Sequence, residues 1–378
     1  MIVALARKTL INEWRRFLPA VVAVAFSALL LLVQTALVLG IFGSAAIYIE
    51  ASKGQLWVGY PGTRTVELGR LLPADTEIWV RLDEAVDRVE PYRWLYGDWR
   101  MHSDQGAFSM YISGIDTSAD GLMFTRVLPP TLRARLDQPD SIVVDVADME
   151  KLGVALGDRP RINGHAVEVV GTLTGLRTLG GVNILTSLET AGRMQPGGLA
   201  DERVAYYVVR LRDGANAADA QRRLNAQGRE HGFQVWSRDE FAKVVTRYWL
   251  FDTGAGLAVL FLSVVVSLTG AVITSQTLMG AVAGSASEYA ALQALGIGMG
   301  ALRRVVIEQA AWIGASGLLL GVAGAAAALW MASRNDVPIA VEALPSLACA
   351  LLVLGISMIS GWAAVRALRQ ADPASLLR

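Results

Sequence analysis

Four apolar stretches, each long enough to cross a bilayer, constrain this chain more than any other feature. Residues 18–42 contain no charge, and the same holds for 254–287 and 343–365. Residues 305–332 carry only Glu308, near their start. An α-helix needs roughly 20 apolar residues to span the hydrocarbon core, and every one of these runs meets that length. Between the first and second runs lie some two hundred residues, roughly 48–252, that are charged, rich in turns and patterned like a water-soluble domain. The arrangement predicted is an α-helical membrane protein with four transmembrane helices, one before and three after a large α+β extracytoplasmic domain. The predicted boundaries are spans at 18–43, 253–282, 305–332 and 344–365. A domain at 44–252, a cytoplasmic segment at 283–304, a short outer loop at 333–343 and a tail at 366–378 complete the chain.

Composition agrees with a membrane solvent. Of 378 residues, 53% are hydrophobic, and the mean hydropathy of +0.41 exceeds that of an ordinary soluble domain. Net charge is zero, which gives nucleic acid no electrostatic reason to bind. The single cysteine, Cys349, falls within the fourth apolar run, so the soluble insert contains no disulfide. Ahead of the first span, Val3, Ala6, Leu10, Trp14 and Phe17 recur at helical spacing opposite Lys8, Asn12 and Arg15. This predicts an amphipathic helix over 1–17 lying in the membrane surface, followed by a retained anchor and not a cleaved signal, because the apolar run exceeds a signal's 7–15 residues.

Basic residues orient the spans. Arg7, Lys8, Arg15 and Arg16 precede the first span, Arg303 and Arg304 the third, and Arg366, Arg369 and Arg378 follow the fourth. Alternating crossings put all three groups on one side, where positive charge marks the cytoplasm. Both termini are then inside and the insert outside. Within the insert, strands are expected at 77–81, 108–113, 141–146, 166–170 and 205–211, with a helix at 217–227 and a further strand at Gly232-Phe233-Gln234-Val235-Trp236. Trp249 and Phe251 stand before the second span, as interfacial aromatics. Trp57, Tyr60, Trp94, Tyr96 and Trp99 suit either the domain core or contact with an amphiphile, the core being the preferred reading.

Chemistry for catalysis is missing from the pattern. There is no Gly-x-x-x-x-Gly-Lys-Ser/Thr phosphate loop, no Gly-x-Ser-x-Gly elbow and no His-Glu-x-x-His. His102, His165 and His231 are dispersed, and Asp137, Asp140, Asp145 and Asp148 read as solvated charges flanking a strand. The spans lack the paired ionisable residues of a proton-coupled carrier. No catalytic residue, metal ligand or bound cofactor is expected of this chain.

One cytoplasmic stretch is distinctive. Glu288-Tyr289-Ala290-Ala291-Leu292-Gln293-Ala294-Leu295-Gly296 predicts a helix continuing the second span and closed by Gly296, with Leu302-Arg303-Arg304 leading into the third. This stretch closely resembles the Glu-[Tyr/Phe]-Ala-Thr-Leu-Lys-Ala-Leu-Gly segment of DevC-type permeases in the MacB/FtsX superfamily of ABC transporter membrane subunits. Further similarities follow in order: Gly54-Gln55-Leu56-Trp57-Val58, Ser141-Ile142-Val143-Val144-Asp145, Ile162-Asn163-Gly164, Tyr248-Trp249 and the C-terminal Asp372-Pro373-Ala374 to Arg378. Gln293 and Ala291 depart from the family's Lys and Thr.

The resemblance implies an ATP-driven system in which a separate ATPase dimer, carrying ATP and magnesium, grips Glu288, Tyr289, Leu292, Leu295 and Gly296. It also implies a second permease copy, either the same chain or a close homologue, a membrane-fusion adaptor with an outer-membrane channel, and handling of substrate outside the bilayer. An FtsX-like mechanotransmission scaffold and LolC/LolE-like lipoprotein extraction are the competing implications. In the third span, Gly314, Gly317, Gly321 and Gly324 offer close helix packing, either to a second copy or to neighbouring helices of the same chain.

Overall fold

A computed structural model describes residues 14–101, 108–176, 178–179, 181–195, 198, 202–284, 299–334, 337 and 339–370. The chain opens with helix α1 (Trp14–Ser44) and the short α2 (Ile47–Glu50), then β1 (Leu56–Gly59), α3 (Thr76–Arg81), β2 (Val86–Arg100) and β3 (Phe108–Ile115). There follow α4 (Pro130–Arg135), β4 (Ser141–Asp145), α5 (Met149–Leu152), β5 (Arg161–Ile162), β6 (His165–Ala166) and β7 (Glu168–Leu173). After β8 (Asn183–Ser187) come α6 (Leu188–Met194), β9 (Tyr206–Leu211), α7 (Ala217–His231), β10 (Gln234–Ser237) and α8 (Arg238–Arg247). Three long helices close the chain: α9 (Ala255–Gly284), α10 (Met299–Arg334) and α11 (Ala343–Gln370). These elements form two compact units, one of α1 with α9–α11 and one spanning Ile41–Gly254.

The helical unit holds all four spans. Its outward surface exposes Leu257, Phe261, Leu268, Leu319, Leu344 and Leu351, a coat that only lipid solvates without penalty. Inside, Ala20, Val24 and Ala28 of α1 pack with Val306, Ala310 and Ile313 of α10 and Val353 of α11. Small polar side chains stitch the helices together. Gln34 Nε2 donates to the Val259 carbonyl at 3.0 Å, and Ser357 Oγ to the Ala310 carbonyl at 2.8 Å. In apolar surroundings each such bond replaces an otherwise unsatisfied group. Residues 1–13 of the expected amphipathic helix lie outside the described residues. Trp14 to Phe17 are helical and belong to α1, with Phe17 buried in the bundle interior.

The extracytoplasmic unit is one mixed sheet in the order β10-β1-β9-β2-β3-β8-β4-β7, with β5 on β2 and β6 on β5. β2 joins its two halves. Val86 to Tyr92 pair with β9, and Arg93 to Trp99 pair with β3. Pro91, with no N–H to give, sits beside the changeover. In the first half, alternation divides the side chains between two faces. Leu56, Val58, Tyr207, Val209 and Val235 meet Leu224 of α7 on one face. Trp57, Tyr206, Val208 and Trp236 point to the other. α7 is capped by Asn216 and stopped by Gly232 at φ +75°, and α8 opens on a Ser237–Glu240 capping box.

Residues 77–81 are helical, not a strand. Glu77 and Arg81 pair at 2.7 Å one turn apart, and Trp79 stacks on His231 at 3.9 Å between ring centres. A five-residue pattern is too short to separate period 2 from 3.6. The aspartate cluster also differs from expectation. Asp145 is buried, accepting from the N–H groups of Ala147 (3.0 Å) and Leu176 (2.7 Å), and Asp148 is buried as well.

Candidate functional site

Within the Ile41–Gly254 unit, the segments nearest in sequence to α1 and α9 meet in one aromatic hub. Tyr48 on α2, Trp57 on β1, Tyr92 on β2, Tyr206 on β9 and Phe241 on α8 are all fully buried. The Trp57 ring lies 5.8 Å from Tyr92, 5.8 Å from Tyr206 and 5.7 Å from Phe241, the first two edge to face. Tyr48 meets Phe124 edge to face at 6.4 Å. These spacings lie in the attractive range for rings and make the hub stiff. Three of its polar edges are hydrogen-bonded, whereas the buried Tyr48 hydroxyl has no partner among the described residues. Trp57 Nε1 donates to Ser52 Oγ (3.3 Å), Tyr92 shares a bond with Ser113 Oγ (2.9 Å), and the Tyr206 hydroxyl donates to the Val66 carbonyl (2.9 Å).

The stretch just before α9 is anchored to a loop after β1. Trp249 packs against the hub and donates from Nε1 to Thr65 Oγ1 at 3.2 Å, and Asp252 pairs with Arg64 at 3.0 Å. Thr65 in turn donates to the buried carboxylate of Glu67. A relay of donors therefore runs from Trp249 through Thr65 to Glu67, whose own carboxyl is raised by burial, with Thr65 opposing. Trp249 is thus a hub residue and not a free interfacial ring, whereas Phe251 is 72% exposed.

A second buried carboxyl sits on β2. Glu90 accepts from the N–H groups of Leu122 (2.5 Å) and Met123 (3.2 Å), and Arg133 donates to the Met123 carbonyl, so the loop after β3 is clamped onto the changeover strand. Burial pushes Glu90 up to about 7, although the Leu122 and Met123 bonds and Arg88 pull the other way. An acid raised on folding contributes stability below its unfolded value, and that stability is lost as pH rises through the folded value. The rise from 4.5 to about 7 corresponds to an effect on the order of 3 kcal/mol. The melting temperature of the purified chain is expected to fall between pH 5 and about pH 8, and Glu90→Gln is expected to flatten that slope. An unchanged slope in the variant would remove Glu90 from the explanation.

The five residues expected to grip an ATPase, Glu288, Tyr289, Leu292, Leu295 and Gly296, lie outside the described residues. The four glycines of α10 do not. A Cβ on Gly317 would stand 2.6 Å from Val24 Cβ and 3.0 Å from the Val21 carbonyl. On Gly321 it would stand 2.5 Å from Ala28 Cβ and 2.7 Å from the Ala25 carbonyl. Gly314 faces Ser357, and Gly324 faces Leu29. All four therefore lie against helices of the same chain. Of the five aromatics open to two readings, Trp57, Trp94 and Trp99 are core, and Tyr96 is 60% exposed. Among the described residues no group of three or more His, Cys, Asp or Glu is placed to hold a metal.

Sequence reasoning picked out Trp57 and Trp249 singly but missed Glu67, Glu90 and the hub they surround. Acidic residues inside apolar or aromatic stretches (Val66-Glu67-Leu68, Val89-Glu90-Pro91-Tyr92) were the available signal.

Residues 17–227 match the family profile of the MacB-like periplasmic core domain, and residues 260–373 match the FtsX-like permease C-terminal profile. No curated protein matches the chain. Among solved structures, the periplasmic region of MacB from Actinobacillus actinomycetemcomitans is similar at 14% identity and a TM-score of 0.36, over 52% of this chain and 95% of that one. The extracellular domain of the ABC-type transporter YknZ from Gram-positive bacteria is similar at 16% identity and a TM-score of 0.31, over 48% and 99%.

Proposed function

This chain belongs to the MacB/FtsX superfamily of ABC permeases, and from that membership we propose that it is the membrane subunit of an ATP-driven exporter for a hydrophobic or amphiphilic substrate. The observation that carries the reading is the succession of a MacB-like periplasmic core and an FtsX-like permease half in one chain that has no phosphate loop of its own. A separate ATPase dimer then supplies ATP hydrolysis, gripping the segment Glu288 to Gly296 on each of two permease copies. The expected setting is a bacterial inner membrane with both termini cytoplasmic. Movement passes through the spans to the periplasmic unit, which works with an adaptor and an outer-membrane channel. The scarcity of polar groups in the spans supports handling of substrate outside the bilayer, since such helices would line a wet path poorly.

Purification from native membranes in mild detergent, with mass spectrometry of what stays bound, tests the assignment. An ABC ATPase together with a membrane-fusion adaptor supports an exporter. An ATPase with a cell-wall hydrolase points to mechanotransmission instead, and a bound lipoprotein to extraction. Finding no ATPase would overturn the reading. In the reconstituted complex, Glu288→Lys is expected to lower stimulated ATPase activity by about tenfold with expression unchanged, because reversing a charge at a contact costs about 1.4 kcal/mol or more. Full activity in that variant would remove Glu288 from the contact.

A further inference from the structure

Asp239, Lys243 and Arg247 recur every four residues along α8 and so share one face of that helix. With Glu50 of α2, Leu250 and Phe251 they line an open groove of ≈ 550 Å³. Its charges are sorted by sign. Lys243 and Arg247 carry the positive side and form no ion pair among the described residues. Glu50 and Asp239 supply the negative side, and among the described residues Asp239 is within ion-pair distance of Arg238, at 3.5 Å, while Glu50 forms no such close pair. Burial raises the Glu50 carboxyl, with Arg126 and Arg238 opposing and Asp239 adding to the rise. A carboxylate so placed gains from a bound cation. The remaining lining is Ala242, Thr246, Leu250 and the exposed Phe251 ring, apolar apart from the Thr246 hydroxyl, which is turned to the Ala242 carbonyl.

Two basic groups, two acidic groups and an apolar lining are complementary to one kind of molecule: a zwitterion with a hydrocarbon tail. The groove is also close in the chain to apolar helices, since Glu50 follows the end of α1 by six residues and Phe251 precedes α9 by four. We propose that it holds a bilayer phospholipid with a phosphoethanolamine head, the phosphate on Lys243 and Arg247, the ammonium on Glu50 and Asp239, and the acyl chains leaving over Leu250 and Phe251. A primary ammonium offers three N–H donors to the two carboxylates, which a choline head lacks. An anionic head without an ammonium would meet those carboxylates uncompensated.

The test is titration of the delipidated full-length chain in mild detergent with dioleoyl phosphatidylethanolamine, phosphatidylcholine and phosphatidylglycerol, read by native mass spectrometry. The ethanolamine lipid is expected to bind about tenfold more tightly than the other two. The double change Lys243→Ala with Arg247→Ala, and separately Glu50→Gln, are each expected to remove that preference. Lys243→Arg is expected to keep it. Melting curves matching the parent chain show that the variants are folded, as these exposed positions allow. Equal binding of all three lipids would overturn the proposal, as would a preference that survives both changes. No ATPase enters the assay, so the result stands apart from the exporter reading.

Discussion

Replacing Trp57 by alanine is expected to destabilise the extracytoplasmic unit by about 3–5 kcal/mol, the largest effect of any single truncation in it. Trp57 is fully buried on β1, a strand paired on both sides with β9 and β10. Truncation removes contacts to Tyr92, Tyr206 and Phe241 together and leaves the buried Ser52 hydroxyl without the indole N–H. The three surrounding rings are held by separate strands and a helix, so they cannot close over the void cheaply. Trp57→Phe keeps a ring and is expected to lose about half as much. Urea titration followed by near-ultraviolet circular dichroism measures both. A midpoint unchanged in the alanine variant would show that the hub is not what holds the unit together.

In the helical unit, Gly321→Leu is expected to abolish most folded, monodisperse protein, and Gly355→Leu to be tolerated. At Gly321 the first added carbon meets the Ala25 carbonyl at 2.7 Å and Ala28 Cβ at 2.5 Å, and a main-chain oxygen cannot rotate away. At Gly355 nothing lies within 4 Å. Overpacking costs typically about 1–3 kcal/mol, and contact with backbone puts Gly321 at or above the top of that range. Helices in lipid have little hydrophobic gain with which to offset a wider separation. Fluorescence-detected size-exclusion of the two variants reads the difference directly. Equal profiles would mean that α1 and α10 do not rely on this close approach.

How much was readable in advance depended on whether a residue's neighbours in sequence are also its neighbours in space. The four spans were legible because a charge-free run of that length has few alternatives. The β9–α7–β10 succession was legible too, since Asn216, Gly232 and the Ser237–Glu240 box mark its ends. β1 and β8 escaped because burial of both faces removes the alternation that betrays a strand, and neither has the β-branched Ile142-Val143-Val144 run that marked the equally buried β4. β2 escaped because Pro91 interrupts it and its partner changes halfway. The hub draws Tyr48, Trp57, Tyr206 and Phe241 from widely separated segments, and no local pattern records that convergence. The glycines of α10 were visible as a close-packing surface, but which helix they meet is a tertiary fact.

The pairing of α1 with α10 also sets a timetable for biogenesis. Val24 leaves the ribosome about 290 residues ahead of Gly317, so at 5–20 residues per second the first helix waits roughly 15–60 seconds for the surface it fits. Throughout that interval Val21, Val24, Ala25 and Ala28 face lipid or a chaperone instead of their final neighbour. The intervening segment can form its sheet in the meantime, because that sheet draws no strand from either helix. A nascent chain exposed only as far as residue 254 should therefore contain a finished outer unit tethered by a lone helix.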